Sequence, residues 1–164
     1  MVSRRIVLVG LAAALAGCAE NKFPTYRGPE VTQIIVMKSD RKMYLLHHDK
    51  VLRSYNIELG FAPNGHKLHE GDGRTPEGVY WIDRRNPNSS FYLSLGISYP
   101  NSVDVEVARG IGKSPGGDIF IHGERRPWDP KGPDWTAGCI AVTNKEMREI
   151  YSMVRTGTRI DINP

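Results

Sequence analysis

Two residues in this 164-residue chain have the types and spacing for covalent chemistry: His122 and Cys139. The apolar run Ile119–Ile121 ends in His122-Gly123, which reads as a buried strand delivering an imidazole at its exit. A loop rich in Arg, Pro, Trp and Asp follows, and then Thr136-Ala137-Gly138-Cys139 leads into the apolar run Ile140–Val142. An imidazole and a thiol at two strand ends joined by one loop can meet. The imidazole then takes the thiol proton, and the imidazolium so formed holds the thiolate. The bland reading of a single cysteine is a buried, inert side chain. Its position after a glycine, at fixed range from a histidine, favours the reactive one. Glycine beside a nucleophile lets a carbonyl approach the backbone, and amide donors there can face an oxyanion.

Other candidates are weaker. His47 and His48 fall at a turn between two short strands and read as solvent-exposed. His66 and His69 lie among glycines that argue against a helix, and no further ligand set has recognisable spacing, so no metal and no cofactor is expected. Gly71-Asp72-Gly73 is a turn signal without the spacing of a phosphate loop.

The elements that must position the pair are short. Strands are expected at Val31–Lys38, Lys42–His47 and Val51–Leu59 as an antiparallel meander, then at Pro76–Asp83, Phe91–Ile97, Ile119–Ile121 and Thr158–Ile162. Gly60–Thr75 reads as loop. A short helix capped by Asn101 or Ser102 runs to Ala108, and Thr143 with Glu146 forms a capping box for a helix from Asn144 to Val154. In that helix Met147, Ile150, Tyr151 and Val154 recur at core spacing. The sum is a mostly β fold: an antiparallel β-sandwich or barrel-like sheet with one or two helices.

Composition sets the frame. Forty per cent apolar and 24% charged residues suit one globular domain, and the formal charge of +4 falls to +2 once Arg4 and Arg5 leave with a leader. No basic stripe interleaved with aromatics points to nucleic acid. The first residues have a positive start, an apolar stretch from Ile6 to Ala14, and Leu15-Ala16-Gly17-Cys18. That is the pattern of a secretory signal too short to span a bilayer permanently. Its last four residues resemble a bacterial lipobox, in which Cys18 becomes the lipidated first residue. The expected organisation is a signal peptide over 1–17, a tether over 18–30 and a catalytic domain over 31–164. The protein would then sit in the cell envelope, lipid-anchored and facing the periplasm. Ala19 after Cys18 favours the outer membrane by analogy. Cys139 is left without a disulfide partner.

At I-H-G…T-A-G-C-I the chain resembles the L,D-transpeptidase (YkuD) domain. Lys67–Tyr80, Ser98–Asn101 and Pro115–Gly123 are similar to the family's supporting segments, so the resemblance covers about Val31 to Asn163. It implies that Cys139 is the nucleophile, His122 the general base, and the Gly123 carbonyl the group orienting the imidazole. Thr136 matches the Ser/Thr of the motif, and Gly138 with Cys139 would offer N–H groups to the oxyanion. In the loop between the pair, Arg125, Arg126, Trp128 and Trp135 either grip stem carboxylates and flank a peptide or form a solvated lid with aromatic anchors. Arg74 and Thr75 either line the cleft or serve a structural turn. Ala137 and Ala141 depart from the residues common at those positions, which looks like the YafK-type branch. The resemblance implies peptidoglycan stem peptides as substrate and an amine acceptor. It leaves open a murein hydrolase, cutting stem peptides or a lipoprotein–murein link, or a non-catalytic murein-binding lipoprotein.

Overall fold

The computed structural model describes residues 21–164; the leader and Cys18 lie outside them. Eight strands and two helices follow one another as β1 (Gln33–Met37), β2 (Lys42–His47), β3 (Lys50–Asn56), β4 (Gly78–Asn86), β5 (Ser94–Ile97), α1 (Ser102–Gly110), β6 (Phe120–His122), β7 (Ile140–Ala141), α2 (Asn144–Met153) and β8 (Arg159–Asn163). β1 alternates half-buried and buried positions, sending Ile34 and Val36 into the core. That is the strand period acting on a sheet with one covered face.

The strands form one sheet in the order β3-β2-β1-β8-β4-β5-β6-β7. β4 is the member that turns it. Its first half, Gly78–Trp81, pairs with β8, and its second half, Ile82–Asn86, pairs with β5. The register shifts between Ile82 and Arg84, and such a bulge bends a strand. Chain beyond β3 then meets the opposite edge. Glu58 and Ala141 exchange both backbone bonds at 2.9 and 2.8 Å, and Phe61 donates to the Thr136 carbonyl at 2.9 Å. The barrel-like, mostly β architecture expected from the sequence is therefore the one that forms.

Pairing direction differs from the expected antiparallel arrangement at two places. β1 runs parallel to β8, and β6 runs parallel to β7. The last strand is inserted between β1 and β4, and the loop after His122 carries the chain back so that β7 starts level with β6. Both are matters of long-range closure, to which local alternation is blind. The 18–30 tether has no helix or strand over its described part, yet Tyr26 packs on the core cluster and Lys22 donates to the Pro87 carbonyl at 2.9 Å.

Both helices carry capping boxes. The Asn101 side chain accepts from Val103 and Asp104 while Asp104 accepts from the Asn101 N–H. Thr143 and Glu146 do the same for α2. The face of α2 that buries Met147, Ile150 and Tyr151 contacts β5 and β6, so the second helix braces the strand that ends in His122.

Candidate active site

His122 closes β6 and is 3% exposed. Its Nδ1 lies 2.8 Å from the Gly123 carbonyl oxygen. A carbonyl can only accept, so Nδ1 carries the proton and the neutral ring presents its lone pair at Nε2. The ring is stacked on Phe91 (centroids 4.4 Å apart, 25° between planes) and meets the Trp135 edge at 5.6 Å. Gly123 is needed at its position: an added Cβ would lie 2.3 Å from Asn144 Oδ1 and 2.6 Å from the Phe91 carbonyl oxygen. Phe91, expected inside a strand, lies three residues before β5, and its place as the wall of the imidazole follows from long-range packing.

Cys139 precedes β7 by one residue. Because Ile140 pairs with Ile121 and the strands are parallel, Cys139 stands level with Phe120, two residues before His122 on the neighbouring strand. The two-residue strand period puts positions 120 and 122 on one face, so the thiol and imidazole are diagonal neighbours, with about 8 Å between Cα positions from the standard spacings. The thiol is partly exposed, unpaired in any disulfide, and donates to the Asp118 carbonyl at 3.6 Å.

The turn before the thiol is tightly specified. Thr136 Oγ1 donates to the Cys139 carbonyl at 2.7 Å and accepts from the Gly138 N–H at 3.1 Å. This corrects one expectation. The Gly138 amide is committed inside the turn, and among the described residues only the Cys139 N–H of that pair has no acceptor. Gly138 matters instead through its φ of +131° and its contact with the Arg74 carbonyl, 2.7 Å from where a Cβ would sit.

The substrate-facing expectations divide. Thr75 is fully buried, accepts from the Gly60 N–H at 3.2 Å and gives its carbonyl to Lys38, so it does not line a cleft. The Arg74 guanidinium donates to the His66 carbonyl at 3.3 Å. Arg126 is spent on Asp129, with Nη2–Oδ1 at 2.7 Å, and lies over the Phe91 ring at 4.5 Å. It braces the imidazole's stacking partner and is not a free cation. Arg125 and Trp135 do line an open cavity of about 770 Å³, together with Glu58, Glu124, Val142 and Glu146. Trp135 is the wall shared by this cavity and the imidazole; neither His122 nor Cys139 lines it. Trp128 is largely exposed.

Two anchors hold the loop between the pair. At its start, Glu124 and Asn144 exchange two bonds at 3.0 Å each, and at its end Asp134 binds Arg41 at 2.7 Å. Beneath the thiol turn, Lys67 and Asp72 form a buried pair at 2.9 Å. Burial pushes the Asp72 carboxyl up, but the Lys67 bond and the N–H groups of Arg74, Leu68 and His69 outweigh it and hold the group at about 2. Its folded value lies below the unfolded one, so its contribution is complete above the ordinary carboxylate range and lost as pH falls toward 2. The drop from 3.8 corresponds to about 2 kcal/mol. Chemical denaturation of wild type and Asp72→Asn at pH 7 and pH 3 is expected to show that difference narrowing in acid.

Burial pushes the Cys139 thiol up, partly opposed by a bond from the Phe120 N–H, and burial pushes His122 down, partly opposed by the Gly123 bond. Both groups therefore rest neutral near pH 7. The arrangement can run general-base chemistry, with the thiolate formed as it attacks. The iodoacetamide alkylation rate at Cys139 is expected to climb through alkaline pH, beyond the range of an ordinary thiol. A rate plateau from pH 5 upward would reveal a preformed thiolate–imidazolium pair and contradict this.

Comparison with known proteins agrees with the geometry. The profile of the YkuD L,D-transpeptidase catalytic domain matches residues 32–162. YafK of Escherichia coli strain K12 is 32% identical over 107 residues, covering 64% of this chain and 38% of that protein. YkuD of Bacillus licheniformis is 26% identical over 148 residues, covering 86% and 72%. Among solved structures, the helical cell shape determining protein Pgp2 from Campylobacter jejuni superposes with a TM-score of 0.62 at 25% identity, over 88% of this chain and 51% of its own. A mutant L,D-transpeptidase from Enterococcus faecium shares the fold at a TM-score of 0.52 and 18% identity, over 82% and 50%. The chain thus spans well under half of the E. coli relative and about half of Pgp2. With the family profile running from the start of β1 to the end of β8, this chain belongs to the YkuD family of L,D-transpeptidase catalytic domains, and by identity it lies nearer to YafK than to YkuD.

Proposed function

We propose that this protein is a cell-envelope L,D-transpeptidase that acts on peptidoglycan stem peptides while anchored by lipid on Cys18. The observation that carries the reading is the imidazole of His122, fixed through Nδ1 to Gly123 and one strand away from the only described thiol. Nε2 takes the Sγ proton as the thiolate attacks the carbonyl of the L-centre of diaminopimelate. The oxyanion that forms faces the Cys139 N–H. Collapse breaks the amide bond, the imidazolium gives its proton to the leaving D-alanine amine, and the acyl group stays on Sγ as a thioester. An amine from a second stem then loses a proton to Nε2 and takes the acyl group. Trp135 and the pinned 124–135 loop form the side on which water is excluded and that amine is seated. The fold shared with Pgp2, named for determining helical cell shape, supports a role in the cell wall.

Purified mature protein incubated with disaccharide-tetrapeptide tests the reading by mass spectrometry. The expected products are a Cys139 acyl-enzyme and a cross-linked dimer. Trimmed monomer alone would make the protein a hydrolase, and unchanged substrate would make it a murein-binding lipoprotein. A carbapenem adduct on Cys139 is expected as well.

A further inference from the structure

The segment before the barrel is built unlike a leash. From Lys22 to Tyr26, alternate residues turn inward: Lys22, Pro24 and Tyr26 are half-buried, while Asn21, Phe23, Thr25 and Arg27 are exposed. The inward row is fastened at several points. Lys22 Nζ donates to the Pro87 carbonyl at 2.9 Å and sits 5.2 Å from the Tyr92 ring centre. Tyr26 packs on the core. The Glu30 carbonyl meets His47 Nδ1 at 2.8 Å. Between these points the segment crosses α2, and a cavity of about 260 Å³ beneath it is lined by Phe23, Arg85, Arg148 and Tyr151.

Phe23 leans one side of its ring toward Tyr151 of α2, centroids 6.2 Å apart, with Lys22 Nζ 5.8 Å from its centre. It nevertheless keeps 52% of its surface exposed, and Arg27 is exposed beyond it. An exposed aromatic beside cations is the pattern of residues that settle at a lipid headgroup surface. Covalent geometry adds a distance. Cys18 precedes Lys22 by four residues, and a fully extended chain of that length reaches only about 14 Å. If acyl chains hold Cys18 in a bilayer, the fastened end of the segment cannot lie farther than that from the lipid surface, whatever the intervening conformation. The catalytic pair is close behind. Tyr92, which Lys22 covers, is next to Phe91, and the Phe91 ring stacks on His122 at 4.4 Å.

We propose that residues 21–27 are a membrane-facing clamp: they present Phe23 and Arg27 to an anionic phospholipid surface and hold the His122–Cys139 pair at a fixed, small height above the bilayer. The proposal rests on the lipid-anchor reading of Cys18. Its functional consequence is a restriction on substrate. The pair reaches peptide strands lying next to the membrane and not those deeper in the wall, because the clamp leaves no slack for the domain to move outward.

Hydrogen exchange on the mature acylated protein tests it, comparing vesicles of phosphatidylethanolamine and phosphatidylglycerol with detergent micelles. Amides of residues 22–27 and 85–90 are expected to slow on vesicles, with α1 unchanged. Arg27→Gln is expected to weaken that protection about fivefold on anionic vesicles, the loss of one surface cation. Phe23→Ser is expected to weaken it on neutral vesicles too. Both variants should form the Cys139 acyl-enzyme in detergent at the wild-type rate. Acylated protein with unchanged exchange at these positions would overturn the clamp. So would protection moved to α1, where Val103, Val107 and Ile111 are exposed in one stripe. A mature chain with no acyl mass on Cys18 would remove the anchor itself, an outcome recognised from the intact mass before any exchange is measured. Loss of cross-linking activity alone bears on the catalytic reading and leaves the exchange result standing.

Discussion

Cys139→Ala is expected to abolish the acyl-enzyme and to lower turnover by on the order of 10³-fold or more, while leaving the fold intact. The thiol makes only weak sulfur bonds, donating to the Asp118 carbonyl and accepting from the Phe120 N–H, so its removal leaves no strong buried partner unmet. His122→Gln should be almost as damaging, on the order of 10²- to 10⁴-fold, because the neighbouring strand presents that imidazole beside the thiol as its base. The double variant should be no worse than Cys139→Ala, since base and nucleophile act in one step. Intact-mass detection of the thioester, with thermal melting as the control for folding, checks all three. Full turnover in Cys139→Ala would remove the nucleophile from the mechanism outright.

The second large effect is expected at a residue with no side chain. Gly138→Ala should cost roughly 1–3 kcal/mol from the backbone conformation alone. A further cost comes from the new methyl group, placed 2.7 Å from the Arg74 carbonyl oxygen and 3.3 Å from Ile119 Cδ1. Backbone cannot retreat from that contact as a flexible side chain could. Arg74 is itself fixed by the bond from its N–H to Asp72 at 3.0 Å. The turn must therefore shift, carrying Cys139 away from its place beside β6. Denaturant titration should show the stability loss, and alkylation of Cys139 in the folded variant should lose the wild-type pH profile. A Gly138→Ala protein with unchanged stability and acylation rate would show that the turn has slack the structure does not display. Gly71 is the matched control, because an added Cβ there meets nothing within 4 Å although its φ is also positive.

What the chain disclosed by itself is local. The capping box of Thr143 and Glu146, the core stripe Met147–Ile150–Tyr151–Val154 and the meander β1–β3 could be read because their determinants lie within a few residues. The spacing of His122 and Cys139 also marked the pair, together with the short strands that carry them. Tertiary structure decided the remainder. Parallel pairing of β6 with β7 depends on where a seventeen-residue excursion returns. The fates of the loop arginines depend on partners elsewhere. Arg126 found Asp129 and the distant Phe91, while Arg125 was left at the cavity. Thr75 was lost from the cleft because Gly60 and Lys38, far from it in sequence, claimed its oxygens. The loop is anchored by Arg41 and Asp134, 93 residues apart. Composition and periodicity record which face of an element is apolar, but not which distant polar group completes each hydrogen bond. In this protein those distant partners separate the residues that shape the site from those that only hold it.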